Sequence, residues 1–459
     1  MSFRDDFAWG TATAAYQVEG GHDAGGRGPS VWDMLCRRPG AVFEGHTGDV
    51  ACDMFHRYEE DIQLIKNLGT KHYRLSLSWS RLLPDGTGKV NEAGVDFYNK
   101  LIDGLIAAGV TPWVTLFHWD YPLALYHRGG WLNRESVDWF RQYARLVAER
   151  FGDRVDRWMT HNEPQCFVSL GHNVGVHAPG LKMNRSEVLR INHHALMAHG
   201  AAVQELRDKC KKTPTIGWAP VGDVTYPLEE NGDCIEQAKK RMFGIDLSAQ
   251  GGFWNNVLYS DPALRGEYPQ AAHDAFGDDM PDVHDGDMQL MHQPIDFYGV
   301  NIYSGASVDA EGRVATNREA GGPRTHIGWP VEPRALYWGP KLLGERYGLP
   351  TVLTENGLAS HDWVMRDGRV HDGHRVDFLG RYLSELKRAA ADGVDVRGYF
   401  QWSLMDNFEW AEGYKYRFGL IHVDYQTLKR TPKDSYYWYK QVVASNGATI
   451  PESFDGTYD

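Results

Sequence analysis

Eight short segments rich in β-branched and aromatic residues recur along the chain, and longer segments with helical periodicity lie between them. After Asp53, a candidate helix N-cap, apolar residues recur every three or four positions from Phe55 to Leu68. This alternation predicts parallel βαβ units. The predicted strands are Phe7–Thr13, His72–Leu77, Val110–Phe117, Arg157–His161, Thr215–Val221, Ile295–Asn301, Thr351–Thr354 and Val396–Ser403.

Eight βα units can close into a (β/α)₈ barrel, and a doubly wound open sheet is the alternative. No low-complexity segment, charge block or linker rich in Pro or Ser divides the chain. We therefore predict an α/β fold: a single TIM barrel domain over residues 1–459, with long loops at the C-terminal face of the strands. A long connection is expected from about Ser304 to Val331, after the sixth strand.

Charge and cysteine content restrict the partners and the compartment. The 48 Lys and Arg against 61 Asp and Glu give a formal net charge of −13, which argues against nucleic acid and anionic lipid. No stretch approaches the roughly 18 apolar residues of a membrane span, and the N-terminus lacks the pattern of a signal peptide. The five cysteines are odd in number and form no C-x-x-C pair. We expect a cytoplasmic protein with free thiols, while no pattern indicates the oligomeric state.

Two glutamates stand at predicted strand ends, where barrels of this kind place their chemistry. Glu163, in Thr160-His161-Asn162-Glu163-Pro164, follows the fourth strand, and Glu355, in Thr354-Glu355-Asn356-Gly357, follows the seventh. These strands face each other across an eight-stranded barrel. Glycoside hydrolysis requires such a pair: one carboxyl protonates the leaving oxygen, and the other attacks the anomeric carbon or activates water. The alternative is that each glutamate is a surface or salt-bridged residue.

The chain resembles the β-glucosidases of glycoside hydrolase family 1 over nearly its whole length. Several motifs occur together, in the family's order and at predicted strand ends. This combination is more specific than any single motif. The motifs are Phe7-Ala8-Trp9-Gly10-Thr11-Ala12-Thr13, Tyr16-Gln17-Val18-Glu19-Gly20, Tyr73-Arg74-Leu75-Ser76-Leu77-Ser78-Trp79-Ser80-Arg81, Leu116-Phe117-His118-Trp119-Asp120, Asn162-Glu163-Pro164, Gly299-Val300-Asn301-Ile302-Tyr303, Thr354-Glu355-Asn356-Gly357, Gln401-Trp402-Ser403-Leu404-Met405-Asp406-Asn407-Phe408-Glu409-Trp410 and Tyr416-Arg417-Phe418-Gly419-Leu420.

The resemblance implies roles by position. Glu163 is expected to be the acid/base and Glu355 the nucleophile that forms a covalent glycosyl-enzyme. The implied supporting residues are Arg74 and Tyr303 beside the nucleophile, Asn162 on the sugar 2-hydroxyl, and Asn301. A guanidinium near Glu355 should favour the ionised form of that carboxyl.

The same resemblance implies a sugar pocket. The implied substrate-binding residues are Gln17, His118, Trp119, Asn162, Trp329, Trp402, Glu409, Trp410 and Phe418. Trp329 is expected to face the leaving group, and the bond between Trp402 and Ser403 is often cis in the family. Neither a metal nor a cofactor is implied.

Other functions have weaker signals. The glycine-rich segment from Gly20 to Ser30 does not have the form of a phosphate-binding loop. His193, His194 and His199 lie on different faces of a predicted helix, which disfavours zinc. His161 stands where the family often has Phe or Leu, and we interpret it as a packing residue. A sugar-binding protein without activity would be expected to lack Glu163 or Glu355, and a thioglucosidase of this family would have Gln at position 163.

The sequence therefore predicts a retaining β-glucosidase that hydrolyses terminal β-D-glucosyl residues of β-glucosides or cello-oligosaccharides. We also expect side activity on β-galactosides or β-fucosides and a role in cellulose degradation. The sequence does not indicate the physiological leaving group. Glu409 favours an unphosphorylated sugar, because its carboxylate can accept hydroxyl hydrogens and would repel a 6-phosphate. Lys415 and Tyr416 are the only weak sign of a phosphate site.

Overall fold

The computed structural model of the protein describes residues 3–315 and 321–451. All eight predicted strands are present, with bounds that differ from the predicted ones by up to a few residues at either end. They are β1 (Ala8–Ala12), β2 (His72–Ser76), β3 (Thr111–Phe117), β4 (Arg157–Asn162), β5 (Thr215–Ala219), β6 (Tyr298–Asn301), β7 (Thr351–Asn356) and β8 (Val396–Trp402).

The strands form one parallel sheet that closes on itself as a TIM barrel. Its order is β5-β4-β3-β2-β1-β8-β7-β6, so the sheet begins and ends on strands that are consecutive in the chain. Backbone hydrogen bonds from Asn301 N–H to Pro220 O (3.0 Å) and from Gly222 N–H to Asn301 O (2.8 Å) join the two ends. The closed arrangement excludes the doubly wound open sheet.

Helices cover the outside of the barrel. The helices that follow the eight strands in order are Met54–Leu68, Glu92–Ala107, Ser136–Phe151, Arg185–Lys209, Gly232–Met242, Ala335–Tyr347, Gly373–Ala391 and Asp434–Ala444. Further helices between β5 and β6 are Val257–Arg265, Gln270–Phe276 and Asp287–Met291. Short helical turns in the loops include Ala15–Val18, Val31–Cys36, Trp79–Leu82, Leu123–Tyr126 and Trp410–Glu412, and a π-helix spans Cys166–Val174. Among the described residues, no helix is long and apolar enough to cross a membrane.

The predicted N-cap at Asp53 is correct in position but not in mechanism. Asp53 precedes the helix Met54–Leu68 with a left-handed φ of 54°, and its side chain makes no capping bond to the backbone. Its Oδ1 instead lies 2.6 Å from His56 Nδ1. The other end follows the usual rule, because Gly69 adopts a φ of 86° that glycine tolerates without strain.

Aromatic rings pack inside the barrel. The Trp113 ring makes edge contacts with Phe297 and Phe400, at centroid distances of 5.5 and 5.0 Å. Gly10 on β1 makes room for Phe400, since a Cβ at that position would lie 2.4 Å from its ring. The interior of the barrel is therefore a packed core at the level of these rings.

The long connection after β6 contains structure that the sequence did not predict. Two short strands, Ala306–Val308 and Val314–Ala315, pair with each other, and the first also pairs in parallel with Thr225–Pro227 from the loop after β5. Residues 316–320 of this connection lie outside the described part of the chain. A second small sheet, Ile421–Val423 with Arg430–Pro432, follows β8.

Candidate active site

A cavity of about 810 Å³ opens at the C-terminal ends of the strands. Eleven of the residues predicted for catalysis or substrate binding line it: His118, Trp119, Glu163, Asn301, Tyr303, Trp329, Glu355, Trp402, Glu409, Trp410 and Phe418. The other three, Gln17, Arg74 and Asn162, are buried. Arg74 and Asn162 hydrogen bond to the lining residues Glu355 and His118, and Gln17 donates to the backbone of Phe408, next to Glu409. The structure thus brings the whole predicted set together.

Glu355 lies at the end of β7 and is held on both oxygens. Arg74 Nη1 donates to Oε1 at 2.6 Å, and the Tyr303 hydroxyl donates to Oε2 at 2.7 Å. Burial raises the pKa of Glu355 above the usual value for a glutamate, while Arg74 and Tyr303 act in the opposite direction. The guanidinium favours the ionised form as expected, but the loss of hydration outweighs its attraction.

Glu163 directly follows β4, with a left-handed φ of 43°. Asn301 Nδ2 donates to its Oε1 at 2.9 Å, and the Cys166 thiol donates to its Oε2 at 3.1 Å. Burial, together with the nearby charge of Glu355, raises the pKa of Glu163 to about 8. Its two hydrogen bonds come from uncharged donors and offset this rise only in part, so the carboxyl keeps its proton to a higher pH than an exposed glutamate does.

Two asparagine amides connect the glutamates. Asn162 Oδ1 accepts from Arg74 Nη2 at 2.5 Å and from Asn301 Nδ2 at 3.0 Å. The orientation of the Asn301 amide is fixed from the other side, because its Oδ1 accepts from the Thr354 hydroxyl at 2.6 Å. A continuous chain of hydrogen bonds therefore runs from Glu355 through Arg74, Asn162 and Asn301 to Glu163.

The same chain fixes the tautomer of His118. Asn162 Nδ2 lies 3.0 Å from His118 Nε2 and can only donate, so Nε2 accepts. Burial and Arg74 hold the pKa of His118 well below its usual value, so the ring is neutral and its proton sits on Nδ1. Nδ1 is buried without a hydrogen-bond partner among the described residues. It is a free donor for a ligand hydroxyl.

Among the predicted site residues, two further buried polar atoms lack a hydrogen-bond partner in the described part of the chain. They are Oε1 of Gln17 and Oε2 of Glu409. The Gln17 amide is oriented by Nε2, which donates to Phe408 O at 2.8 Å and to Asn407 Oδ1 at 3.1 Å. Buried polar atoms are costly unless they are hydrogen bonded, so this part of the site suits a neutral ligand rich in hydroxyls.

Burial and the charges of Glu355 and Glu163 raise the pKa of Glu409 to about 8. At neutral pH this carboxyl is therefore largely protonated, and charge repulsion of a phosphate is weaker than the sequence predicted. Among the described residues that line the cavity, Arg241 is the one Lys or Arg, and it faces Asp246 at 3.5 Å. Lys415 Nζ lies over the rings of Phe43 and Tyr416, outside the lining.

Aromatic rings form the apolar walls. Trp402 and Trp410 each lie nearly parallel to the His118 ring, at interplanar angles of 20° and 18°. The peptide bond between Trp402 and Ser403 is cis, as the resemblance implied. Trp329 is half-buried beside Tyr303, at a centroid distance of 5.2 Å. A sugar ring has apolar C–H faces and a rim of hydroxyl groups. The aromatic walls suit the faces, and the unpaired polar atoms suit the hydroxyl groups.

The four other histidines that the sequence singled out have hydrogen-bond and packing partners. His161 Nε2 lies 2.9 Å from Ala195 O, and its ring packs against core aromatics such as Phe117 and Phe140. His193 contacts Tyr268 and Asp287, while His194 bonds to Trp131 O and His199 to Thr160. Within residues 3–315 and 321–451, no group of three or more His, Cys, Asp or Glu has the geometry of a metal site.

Sequence reasoning missed three residues behind the site. Cys166 bonds to Glu163, Thr115 accepts from Arg74 Nε at 3.2 Å, and Thr354 holds Asn301. Cys166 lies three positions after Glu163, a spacing that brings side chains together at the start of a helix. That spacing was the one available signal, since Thr115 and Thr354 look like ordinary strand residues.

Known proteins resemble the chain over almost its entire length. A family model described as glycosyl hydrolase family 1 matches residues 1–448. Beta-glucosidase A of Thermotoga maritima is 44% identical over 452 residues, which cover 97% of this chain and 98% of that protein. A bifunctional beta-D-glucosidase/beta-D-fucosidase of Bifidobacterium breve is 40% identical over 476 residues, with 98% and 99% covered. The structure of a beta-glucosidase from Thermotoga maritima in complex with glucoimidazole matches with a TM-score of 0.89 at 43% identity, covering 97% of this chain and 99% of that one.

Proposed function

Because the chain belongs to glycosyl hydrolase family 1, we propose that it is a retaining β-glucosidase acting on unphosphorylated β-glucosides and cello-oligosaccharides. One observation carries the proposal: the buried carboxyls of Glu163 and Glu355 share one cavity, and in the described part of the chain Glu355 is paired with a cation while Glu163 is not. Such a pair supplies both a nucleophile and an acid from the same residue type.

Glu355 is the nucleophile in this proposal. Its carboxylate attacks the anomeric carbon, the bond from that carbon to the leaving oxygen breaks, and a glycosyl ester forms on Glu355. Arg74 and Tyr303 each donate to one carboxylate oxygen, so they orient the attacking group and favour its ionised form over the protonated one.

Glu163 is the acid/base. In the first step its proton goes to the leaving oxygen, which departs as an alcohol or a second sugar. In the second step Glu163 removes a proton from water, the water oxygen attacks the anomeric carbon, and the ester to Glu355 breaks. The raised pKa of Glu163 keeps it protonated for the first step, and two inversions at the same carbon leave the β-configuration unchanged.

The inner part of the cavity is proposed to hold the terminal glucosyl ring. Gln17 offers an acceptor, His118 a donor and Glu409 a carboxyl, all without partners among the described residues. Asn162 Nδ2 donates to His118 and carries a second hydrogen for the sugar 2-hydroxyl. Trp402 and Trp410 provide the apolar walls.

The outer part is proposed to hold the leaving group against Trp329. The cavity lining includes the apolar side chains of Leu170, Val176 and Trp254, which suit an apolar part of the leaving group. Side activity on β-fucosides is supported by the relative from Bifidobacterium breve whose name includes that activity.

We also propose a cytoplasmic location and a role in cellulose breakdown. All five cysteines, each in the described part of the chain, are free thiols, as a reducing compartment would keep them.

A panel of substrates tests the proposal. Purified protein should release nitrophenol from the β-glucoside, release glucose from cellobiose, and act on the β-galactoside and β-fucoside more slowly. A Glu355→Ala preparation serves as the control for contaminating activity. Failure to hydrolyse any β-glycoside while the protein still binds glucose would indicate a sugar-binding protein instead.

A further inference from the structure

The thiol of Cys166 is placed against a single oxygen of Glu163. Cys166 begins the π-helix Cys166–Val174, four residues after the end of β4, and its backbone N–H donates to Glu163 O at 2.9 Å. Its Sγ donates to Glu163 Oε2 at 3.1 Å, and the side chain lines the cavity although it is only 4% exposed. The contact therefore joins two buried groups whose backbones are tied together.

The two oxygens of Glu163 have partners of different kinds. Oε1 faces the Asn301 amide nitrogen, which can donate and cannot accept. The amide cannot turn over without losing the bond from Thr354 to Asn301 Oδ1. Oε1 thus stays an acceptor whether Glu163 is ionised or protonated, and the carboxyl proton belongs on Oε2.

A thiol suits the oxygen that gains and loses the proton. While Glu163 is ionised, the S–H donates to Oε2. When Oε2 carries a proton, the S–H can rotate away and the sulfur can act as a weak acceptor. Burial raises the pKa of Cys166 well above its usual range, so the thiol keeps its hydrogen at working pH. An amide or a guanidinium at this position would oppose protonation of Oε2.

We propose that Cys166 is a positioning residue that assigns Oε2 of Glu163 as the oxygen exchanging the proton in both half-reactions. The inference rests on the proposed function, since it takes Glu163 to be the acid/base. The competing interpretation is that Cys166 only fills space beside Glu163, in which case any small residue would serve equally.

Two variants of Cys166 separate these interpretations. Cys166→Ser offers a stronger donor, which should favour the ionised form of Glu163 and move the alkaline limb of kcat/KM to lower pH. Cys166→Ala removes the donor and should move that limb to higher pH. Each shift should be about half a pH unit, as expected for a weak hydrogen bond to one protonation state. Cys210→Ser, which removes a thiol just before β5 at the opposite end of the barrel, should leave the profile unchanged.

The measurement is the pH profile of kcat/KM for nitrophenyl β-glucoside in the wild type, these three variants and Glu163→Gln. Opposite shifts for Ser and Ala support the proposal. Coincident limbs for the wild type, Ser and Ala would overturn it, while loss of the limb in Glu163→Gln would keep Glu163 as the acid. A limb that persists in Glu163→Gln would instead contradict the proposed function.

A spectroscopic measurement covers the case in which Cys166→Ala does not fold. The S–H stretch of Cys166, identified in infrared difference spectra by its loss in Cys166→Ser, should move to lower frequency as Glu163 ionises. An S–H band that does not respond to pH between 6 and 9, the range around the pKa of about 8, would overturn the proposal.

Discussion

Arg74 Nη1 donates a hydrogen bond of 2.6 Å to Oε1 of Glu355, and both side chains are almost fully buried. Glu163 shares the cavity, but its two partners are an amide and a thiol. The neighbouring cation is therefore the physical difference between the two glutamates. Its position favours ionised Glu355, while burial and the charge of Glu355 favour protonated Glu163. A double displacement needs this arrangement.

Arg74→Gln should impair both activity and stability. The substitution leaves the Glu355 carboxylate buried without its cation, and breaking such a pair costs about 3–5 kcal/mol. We expect lower kcat/KM, an acid limb moved to higher pH, and a lower Tm in thermal unfolding followed by circular dichroism. Arg145→Gln is the control, because it removes an exposed arginine from Glu205 while Arg141 stays paired with that carboxylate. An unchanged acid limb in Arg74→Gln would show that the guanidinium does not govern the protonation of Glu355.

Glu163→Ala should discriminate between leaving groups. General acid catalysis typically contributes a factor of about 10²–10⁴, and a dinitrophenolate departs without protonation. We expect a loss of that size for nitrophenyl β-glucoside or cellobiose and a much smaller loss for the first step with the dinitrophenyl substrate. Added azide should restore turnover and yield a β-glucosyl azide, detectable by NMR. Equal losses on both substrates, without azide rescue, would mean that another group is the acid.

The pH dependence of kcat/KM should be bell-shaped. Glu163 must be protonated, so activity falls as pH rises through its pKa of about 8. Glu355 must be ionised, so activity falls as pH decreases through its pKa, which lies above the usual glutamate value of 4.5. Initial rates at substrate concentrations far below KM measure both limbs. A rate that keeps rising beyond pH 9 would contradict the role of Glu163.

The sugar 6-position should distinguish neutral from phosphorylated substrates. Glu409 contributes a carboxyl there in our proposal, while Lys415 lies outside the cavity against Phe43 and Tyr416. We expect kcat/KM for nitrophenyl β-glucoside to exceed that for its 6-phosphate, because Arg241, the one Lys or Arg among the described lining residues, already faces Asp246. The ratio should grow as pH rises through about 8, where Glu409 ionises. Glu409→Ser should weaken hydrolysis of the glucoside more than that of the fucoside, which has no 6-hydroxyl. A preference for the phosphate would overturn the role of Glu409.

The barrel could be predicted because its strands are buried on both faces and therefore stand out as apolar runs between helices. The ends of the strands were harder to predict, because they depend on hydrogen bonds between distant segments that no local sequence pattern encodes. The predicted fifth strand reached Val221, whereas the ladder ends at Ala219. Pro220 has no N–H to donate, and Val221 pairs separately with Asn301.

The membership of the site could be predicted, but its electrostatics could not. Strand-end position and the family resemblance together gave Glu163, Glu355 and the residues around them. The effect of Arg74 on Glu355 could be predicted, but the net direction of the pKa shift could not, because the burial that opposes Arg74 cannot be read from the sequence. Cys166 was missed because its importance lies in one contact to Oε2 of Glu163, and nothing in the pattern of apolar residues marks it.

A geometric expectation accompanies the mechanism. In a retaining enzyme the carboxyl groups of Glu163 and Glu355 should lie about 5–5.5 Å apart, against roughly 6.5–9.5 Å in an inverting one. A crystal structure of the free enzyme measures this separation. NMR of the first product should correspondingly show β-glucose before mutarotation, and α-glucose appearing first would indicate inversion.

Trapping of the covalent intermediate tests the central claim most directly. The protein is incubated with dinitrophenyl 2-deoxy-2-fluoro-β-glucoside, whose fluorine slows the second step, and is then analysed as intact protein and as peptides by mass spectrometry. The account predicts that the protein gains one fluoroglucosyl group, that the label lies on Glu355, and that Glu355→Ala gains none. A label on Glu163 or another residue, or complete turnover with inverted product and no adduct, would contradict it.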